Sequence, residues 1–173
     1  YILLIWNLLL NHLKVPKKIY NYLPFNLSKI FLFLILIQIS IGAFTSGLDA
    51  GEIYNTWPLM NFSYFPDDSE FRDLFSVNIF DQPSLIQFLH RNLAYLIIFV
   101  FSIIYFLVLK YEKFFYLKKT VLYVFFFLTL QIFLGILTVI SGADIILASL
   151  HQIGSILLIT SAIVLVFKNS NFN

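Results

Sequence analysis

From Leu27 onward the chain is a succession of long apolar runs separated by polar breaks. Four runs, at about 27–45, 86–109, 120–140 and 146–167, reach the roughly 20 residues that a helix needs to cross a bilayer. They are unbroken, whereas the strands of a membrane barrel alternate and are about half as long, so the pattern predicts helices. A shorter apolar run, "YILLIWNLLL", comes first, and the chain opens inside it without a methionine. Residues 1–26 are therefore read as the end of a preceding, truncated transmembrane helix and a linker. Residues 27–167 are read as a four-helix bundle, and residues 168–173 as a tail.

The breaks are unequal. Residues 46–85 form a loop rich in Gly, Pro, Asp and Asn, whereas a few residues join the second run to the third and the third to the fourth. A loop that long inside a compact unit usually has a function. The expected architecture is all-α: a polytopic transmembrane four-helix bundle with a long loop between its first two full spans.

Composition sharpens this picture. With 60% hydrophobic residues, 12% charged residues and a mean hydropathy of +0.89, the chain falls outside the range of soluble domains. It reads as an integral membrane protein, with no nucleic-acid partner expected. The absence of cysteine excludes disulfides, iron–sulfur clusters and thiolate ligands from this segment. Alternation of the spans puts Lys14, Lys17, Lys18, Lys29, Lys110, Lys113, Lys118, Lys119 and Lys168 on one side, and eight acidic residues, from Asp49 to Asp144, on the other. By the positive-inside rule the lysine side is cytoplasmic, or the matrix side in a mitochondrion, and the long loop and both histidine-bearing helix starts face outward.

A repeat carries the candidate chemistry. The first span ends in Gln38-x-x-x-Gly42-x-x-Thr45, followed by Ser46-Gly47-x-Asp49; the third ends in Gln131-x-x-x-Gly135-x-x-Thr138, followed by Ser141-Gly142-x-Asp144. The second and fourth spans each open with Leu-His, at Leu89-His90 and Leu150-His151. The bundle thus reads as two repeated helical hairpins, and same-direction repeats place equivalent residues at equal depth. An ionisable side chain inside a span is expensive unless partnered, and it usually faces the bundle interior.

Two imidazoles at matched depth can share one metal. They make a poor zinc site, which wants four ligands, but haem brings its own four equatorial nitrogens and asks only for axial ligands. Arg91, beside His90, is placed to meet a haem propionate. The competing reading is that each histidine merely hydrogen-bonds between helices. Gln38 and Gln131 are read as polar glue between helices, and Gly42, Gly135 and Gly154 as packing residues. His12 falls at the lysine end, away from the pair.

The stretches "GLDAGEIYNTWPLM" (47–60), "QFLHRNLAY" (87–95), "QIFLGILTV" (131–139) and "LASLHQIGSILL" (147–158), in that order and spacing, resemble the haem A synthase family in its proteobacterial and mitochondrial form. The resemblance covers almost all of residues 38–158. It implies a protein of eight transmembrane helices in two similar halves that oxidises the C8 methyl of haem O to the formyl of haem A for terminal oxidases. It also implies that this segment is the C-terminal half, with haem b held between His90 and His151 and the iron bound by both.

In the family the other half carries its own histidine pair and a catalytic glutamate three residues before the first of them. Here that position is Gln87, so no catalytic residue is expected in this segment, and the substrate-processing site is expected in the N-terminal half. Beyond haem, the lipid bilayer and that half, the expected partners are haem O synthase and an electron donor of unstated identity. The expected location is the bacterial inner membrane, with the mitochondrial inner membrane as the alternative. Competing functions are a cytochrome b-type electron carrier, and a transporter or structural membrane subunit.

Overall fold

The computed structural model describes residues 1–12 and 22–170. Lys14, Lys17 and Lys18, most of the linker and the last three residues of the tail lie outside the described residues. Five α-helices follow one another: α1 (Ile2–His12), α2 (Leu27–Gly47), α3 (Pro83–Lys110), α4 (Lys118–Ile140) and α5 (Ile145–Lys168). The last four are long and apolar enough to cross a membrane. Their bounds extend the predicted spans by one to three residues where they differ from them, and no strand is found among the described residues.

Local chemistry sets the helix ends. Pro83 opens α3, where its missing N–H would have had no partner anyway. Asp144 caps α5 by accepting from the backbone N–H groups of Ile146 (3.0 Å) and Leu147 (3.1 Å). Between α4 and α5 the chain reverses through a glycine-based stop: Ala143 N–H donates to Thr138 O and Gly142 N–H to Val139 O, with Gly142 at φ +71°. In the apolar spans the hydroxyls of Thr45 and Thr138, equivalent positions of the repeat, each donate to the carbonyl four residues back.

The spanning helices form a ring in which α2 touches α3, α3 touches α4, α4 touches α5, and α5 touches α2. Consequently α3 and α5 occupy one diagonal and α2 and α4 the other. The buried core lies toward the lysine end, where Phe31, Ile35, Ile104, Val108, Val121 and Ile163 meet. Toward the opposite end burial stops: α2 has no buried residue after Ile35, α4 none after Gln131, and α5 none before Gly154. Helix α1 lies against α5, with the Trp6 ring edge-on to Phe167 at 5.4 Å and the Tyr1 hydroxyl bonded to Thr160.

A polar knot closes the lysine end. Asn169, buried just past α5, accepts from Leu23 N–H (3.0 Å) through Oδ1 and donates to Ser28 Oγ (2.9 Å) through Nδ2. It ties the entry to α2 to the end of α5, some 140 residues apart in sequence.

At the other end the long loop folds back on the bundle as short 3-10 turns. Its turn at Ala50–Glu52 touches α2, α3 and α4, Gly51 abuts Ala143, and Asn55 lies against Gly142, so the loop crosses from one hairpin to the other. Tyr54 is buried with its hydroxyl on Asp67. Burial, that hydrogen bond and the nearby charge of Asp68 push the phenol up to about 12, so it remains a donor at any physiological pH. For Asp68, burial raises the pKa, but hydrogen bonds from Ser84, Ser69 and Tyr54 outweigh it and hold the carboxyl below its ordinary value.

Replacing Asn169 with Ala leaves the Leu23 N–H and the Ser28 hydroxyl without their partner, a loss on the order of 1–3 kcal/mol. The midpoint of thermal unfolding of the full-length protein in detergent should fall by several degrees for Asn169→Ala. It should barely move for Ser102→Ala, whose exposed hydroxyl bonds only within its own helix.

Candidate functional site

His90 lies about 10 Å, and His151 about 9 Å, along their helices from the starts of α3 and α5, at a rise of ~1.5 Å per residue. Both helices start at the loop end, so the two imidazoles sit at the same depth on one diagonal of the bundle. Their depth agrees with the pattern in the sequence.

Each histidine is seated by the preceding helix of its own hairpin. A Cβ built on Gly42 would lie 3.2 Å from Cε1 of His90, and one built on Gly135 would lie 3.1 Å from Cε1 of His151. The two glycines are thus rests for the rings, which sharpens their expected packing role.

The glutamines are less alike. Gln38 Nε2 donates to the main-chain carbonyl of His90 and faces its ring nitrogen Nε2, both at 3.1 Å. Gln131 instead lies against α5 farther along, where its side-chain Nε2 would sit 2.1 Å from any Cβ at Gly154. Gly154 is needed for the buried Gln131 amide to fit.

Several buried polar atoms here have no protein partner: Nδ1 of His90, Nδ1 of His151, Gln38 Oε1 and Gln131 Nε2. Such orphaned atoms are uncommon in folded proteins and call for an explanation. Two nitrogen donors approaching from opposite sides of a bundle suit a planar group that supplies its own equatorial ligands. They do not suit an ion that wants a protein shell, since no group of three or more His, Cys, Asp or Glu is brought together among the described residues.

Arg91 and Gln87, one turn apart on α3, hold the loop. Arg91 donates to the carbonyls of Tyr54 (2.8 Å), Thr56 (2.9 Å) and Leu59 (3.2 Å). Gln87 Nε2 donates to the Tyr54 carbonyl at 3.1 Å. The guanidinium keeps one buried donor, Nε, without a protein partner. Nothing in the sequence pattern marks these carbonyls as its acceptors; only the adjacency of Arg91 to His90 drew attention to it. Trp57 is half exposed beyond the Tyr54 anchor, and Gly51 and Asn55 lie against the far hairpin. His12 ends α1 and is exposed.

Comparison with known proteins bears on this geometry. The model of the COX15-CtaA family, described as cytochrome oxidase assembly protein, matches residues 1–163. The heme A synthase of Pelagibacter ubique is 49% identical over 156 residues, 90% of this chain and 45% of that protein. That of Rickettsia massiliae is 34% identical over 92% of this chain and 48% of its own length. That of Bartonella quintana is 39% identical over 69% of this chain and 33% of its own. This chain therefore spans about half the length, or less, of these curated relatives. No solved structure matches it. Four membrane-length apolar helices and a family match over nearly the whole sequence lead to one conclusion: this integral membrane chain belongs to the COX15-CtaA family of cytochrome oxidase assembly proteins.

Proposed function

We propose that this chain is the haem b-holding half of a haem A synthase, with the haem gripped between His90 and His151. The enzyme would oxidise the C8 methyl of haem O to the formyl of haem A in the bacterial inner membrane. One observation carries the proposal: the two imidazoles stand on a diagonal at matched depth, each resting on a glycine and each with a buried ring nitrogen lacking a protein partner. The names of the relatives support the activity, and bacterial sources support the membrane.

Held between these two imidazoles, haem would supply electron transfer rather than oxygen activation. The residues of this chain do the rest. Gly42 and Gly135 leave room for the ring edges of His90 and His151.

At His90 the amide of Gln38 is donor-only through Nε2, so ring Nε2 accepts and the proton rests on Nδ1. Ligation therefore requires Gln38 to turn. Either it releases the Nε2 lone pair, or its orphaned Oε1 takes up an N–H from Nε2 and frees Nδ1. Arg91 Nε is the donor left for a propionate. Gln87 serves the loop in this reading, and methyl oxidation, with its electron donor and any contact with haem O synthase, belongs to the N-terminal half.

Two expectations follow for the purified full-length protein. Replacing His90 or His151 with Ala should remove the low-spin haem signal assigned to this half, and an unchanged spectrum in either variant would reject the axial pair. Substituting Val at Gly42 or Gly135 should cut bound haem per protein by more than half, with Ala milder. Gly47→Val, whose Cβ meets nothing within 4 Å, should retain it.

A further inference from the structure

The long loop has a second part that the site does not use. Beyond the Tyr54 anchor, residues 71–81 form two one-turn 3-10 helices, Phe71–Phe75 and Val77–Asp81. They expose apolar side chains to a degree unusual for an extramembrane segment: Phe71 67%, Phe75 82%, Val77 91% and Phe80 50%. The Phe71 and Phe75 rings stack edge to face at 6.0 Å, forming one apolar surface.

This segment does not lie over the mouth of the bundle. Phe80 packs on Phe44 at 5.2 Å, and Phe80 and Asp81 share a shallow groove with Ala43, Phe44, Gly47 and Leu48. Phe44 is itself 44% exposed on the last two turns of α2, a helix of membrane-crossing length and apolarity. The exposed apolar surface of the loop is therefore continuous with the loop end of a helix of membrane-crossing length, the level at which such a helix would leave a bilayer. Aromatic side chains concentrate at that depth because their rings tolerate the boundary between hydrocarbon and water. The polar residues of the segment pair among themselves, Arg72 with Glu70 at 2.8 Å, and Asp73 receives the Glu70 N–H at 2.9 Å.

We propose that residues 71–81 are a membrane-resting wing, with Phe71, Phe75, Val77 and Phe80 inserted into the lipid headgroup boundary beside α2. The occupant of this surface is the bilayer itself. The wing carries Asp73 and Asp81 against Arg72, with Glu70 just before it, so its attachment is apolar and does not depend on anionic lipid. The wing steadies the far end of the loop whose near end Arg91 holds over the histidines. This inference does not depend on the haem assignment.

The test places single cysteines in an otherwise cysteine-free full-length protein, at Phe75→Cys, Val77→Cys and, as the polar reference, Glu70→Cys. Each is labelled with an environment-sensitive fluorophore and reconstituted into phosphatidylcholine vesicles. Lipids bearing a nitroxide near the headgroup end of the acyl chain should quench positions 75 and 77 at least threefold more than position 70. Soluble iodide should show the reverse order, and added salt should change neither. Equal iodide quenching at all three positions would overturn the proposal in favour of a solvated loop. Protection of 75 and 77 from both quenchers would overturn it in favour of a protein partner on this face.

Discussion

An imidazole placed two turns inside an apolar helix must find polar company or be filled against, because the surrounding hydrocarbon offers neither donor nor acceptor. In this bundle that requirement is met inside each hairpin rather than between hairpins. The helix before each histidine brings a glycine to the ring edge and a glutamine one turn away. For His90, the Gln38 amide bridges ring and main chain. For His151, Gly135 lies against the ring edge. Each hairpin therefore presents its histidine to the interior as a preset unit, and the interior needs only to hold two such units at the same height.

That division explains where the hydrophobic core lies. The lysine half of the bundle is packed with buried Phe, Ile, Val and Leu and closed by the Asn169 knot. The loop half is held by its rim: Ser84 to Gln87 and Arg91 are buried beneath the loop, while the facing turns of α2, α4 and α5 are not. Arg91 joins the two, since its charge is solvated by three loop carbonyls in place of water. The loop is thus anchored to the bundle by a side chain one residue from His90.

Much of this was legible in the sequence because it is periodic or repeated. Apolar runs of membrane length fixed four helices to within a few residues. The recurrence of Gln-x-x-x-Gly before each Leu-His put the two imidazoles at equal depth, while the glycines against their rings were read only as packing residues. What the pattern could not show depends on contacts distant in sequence between groups with no signature. The acceptors of Arg91 are backbone carbonyls, which every residue has. Asn169 looks like an ordinary helix stop, and nothing in its neighbourhood announces Leu23 or Ser28. The loop resisted for the same reason: short 3-10 turns have no period, and Trp57, the residue that stands out by type, is half exposed while Gly51 and Asn55 make the crossing contacts.

The repeat is also unequal in an instructive way. At His90 the Gln38 side-chain amide lies on the ring nitrogen, whereas the Gln131 amide nitrogen is buried without a protein partner. The Gln131 amide fits over Gly154, a position that in the first hairpin is the larger Leu93. A ring held by a side-chain amide can exchange its protonated nitrogen when that amide turns, with little movement of the helices. Under the proposed bis-histidine binding, His90 is the side of the grip whose neighbouring amide would have to turn as the ligand enters.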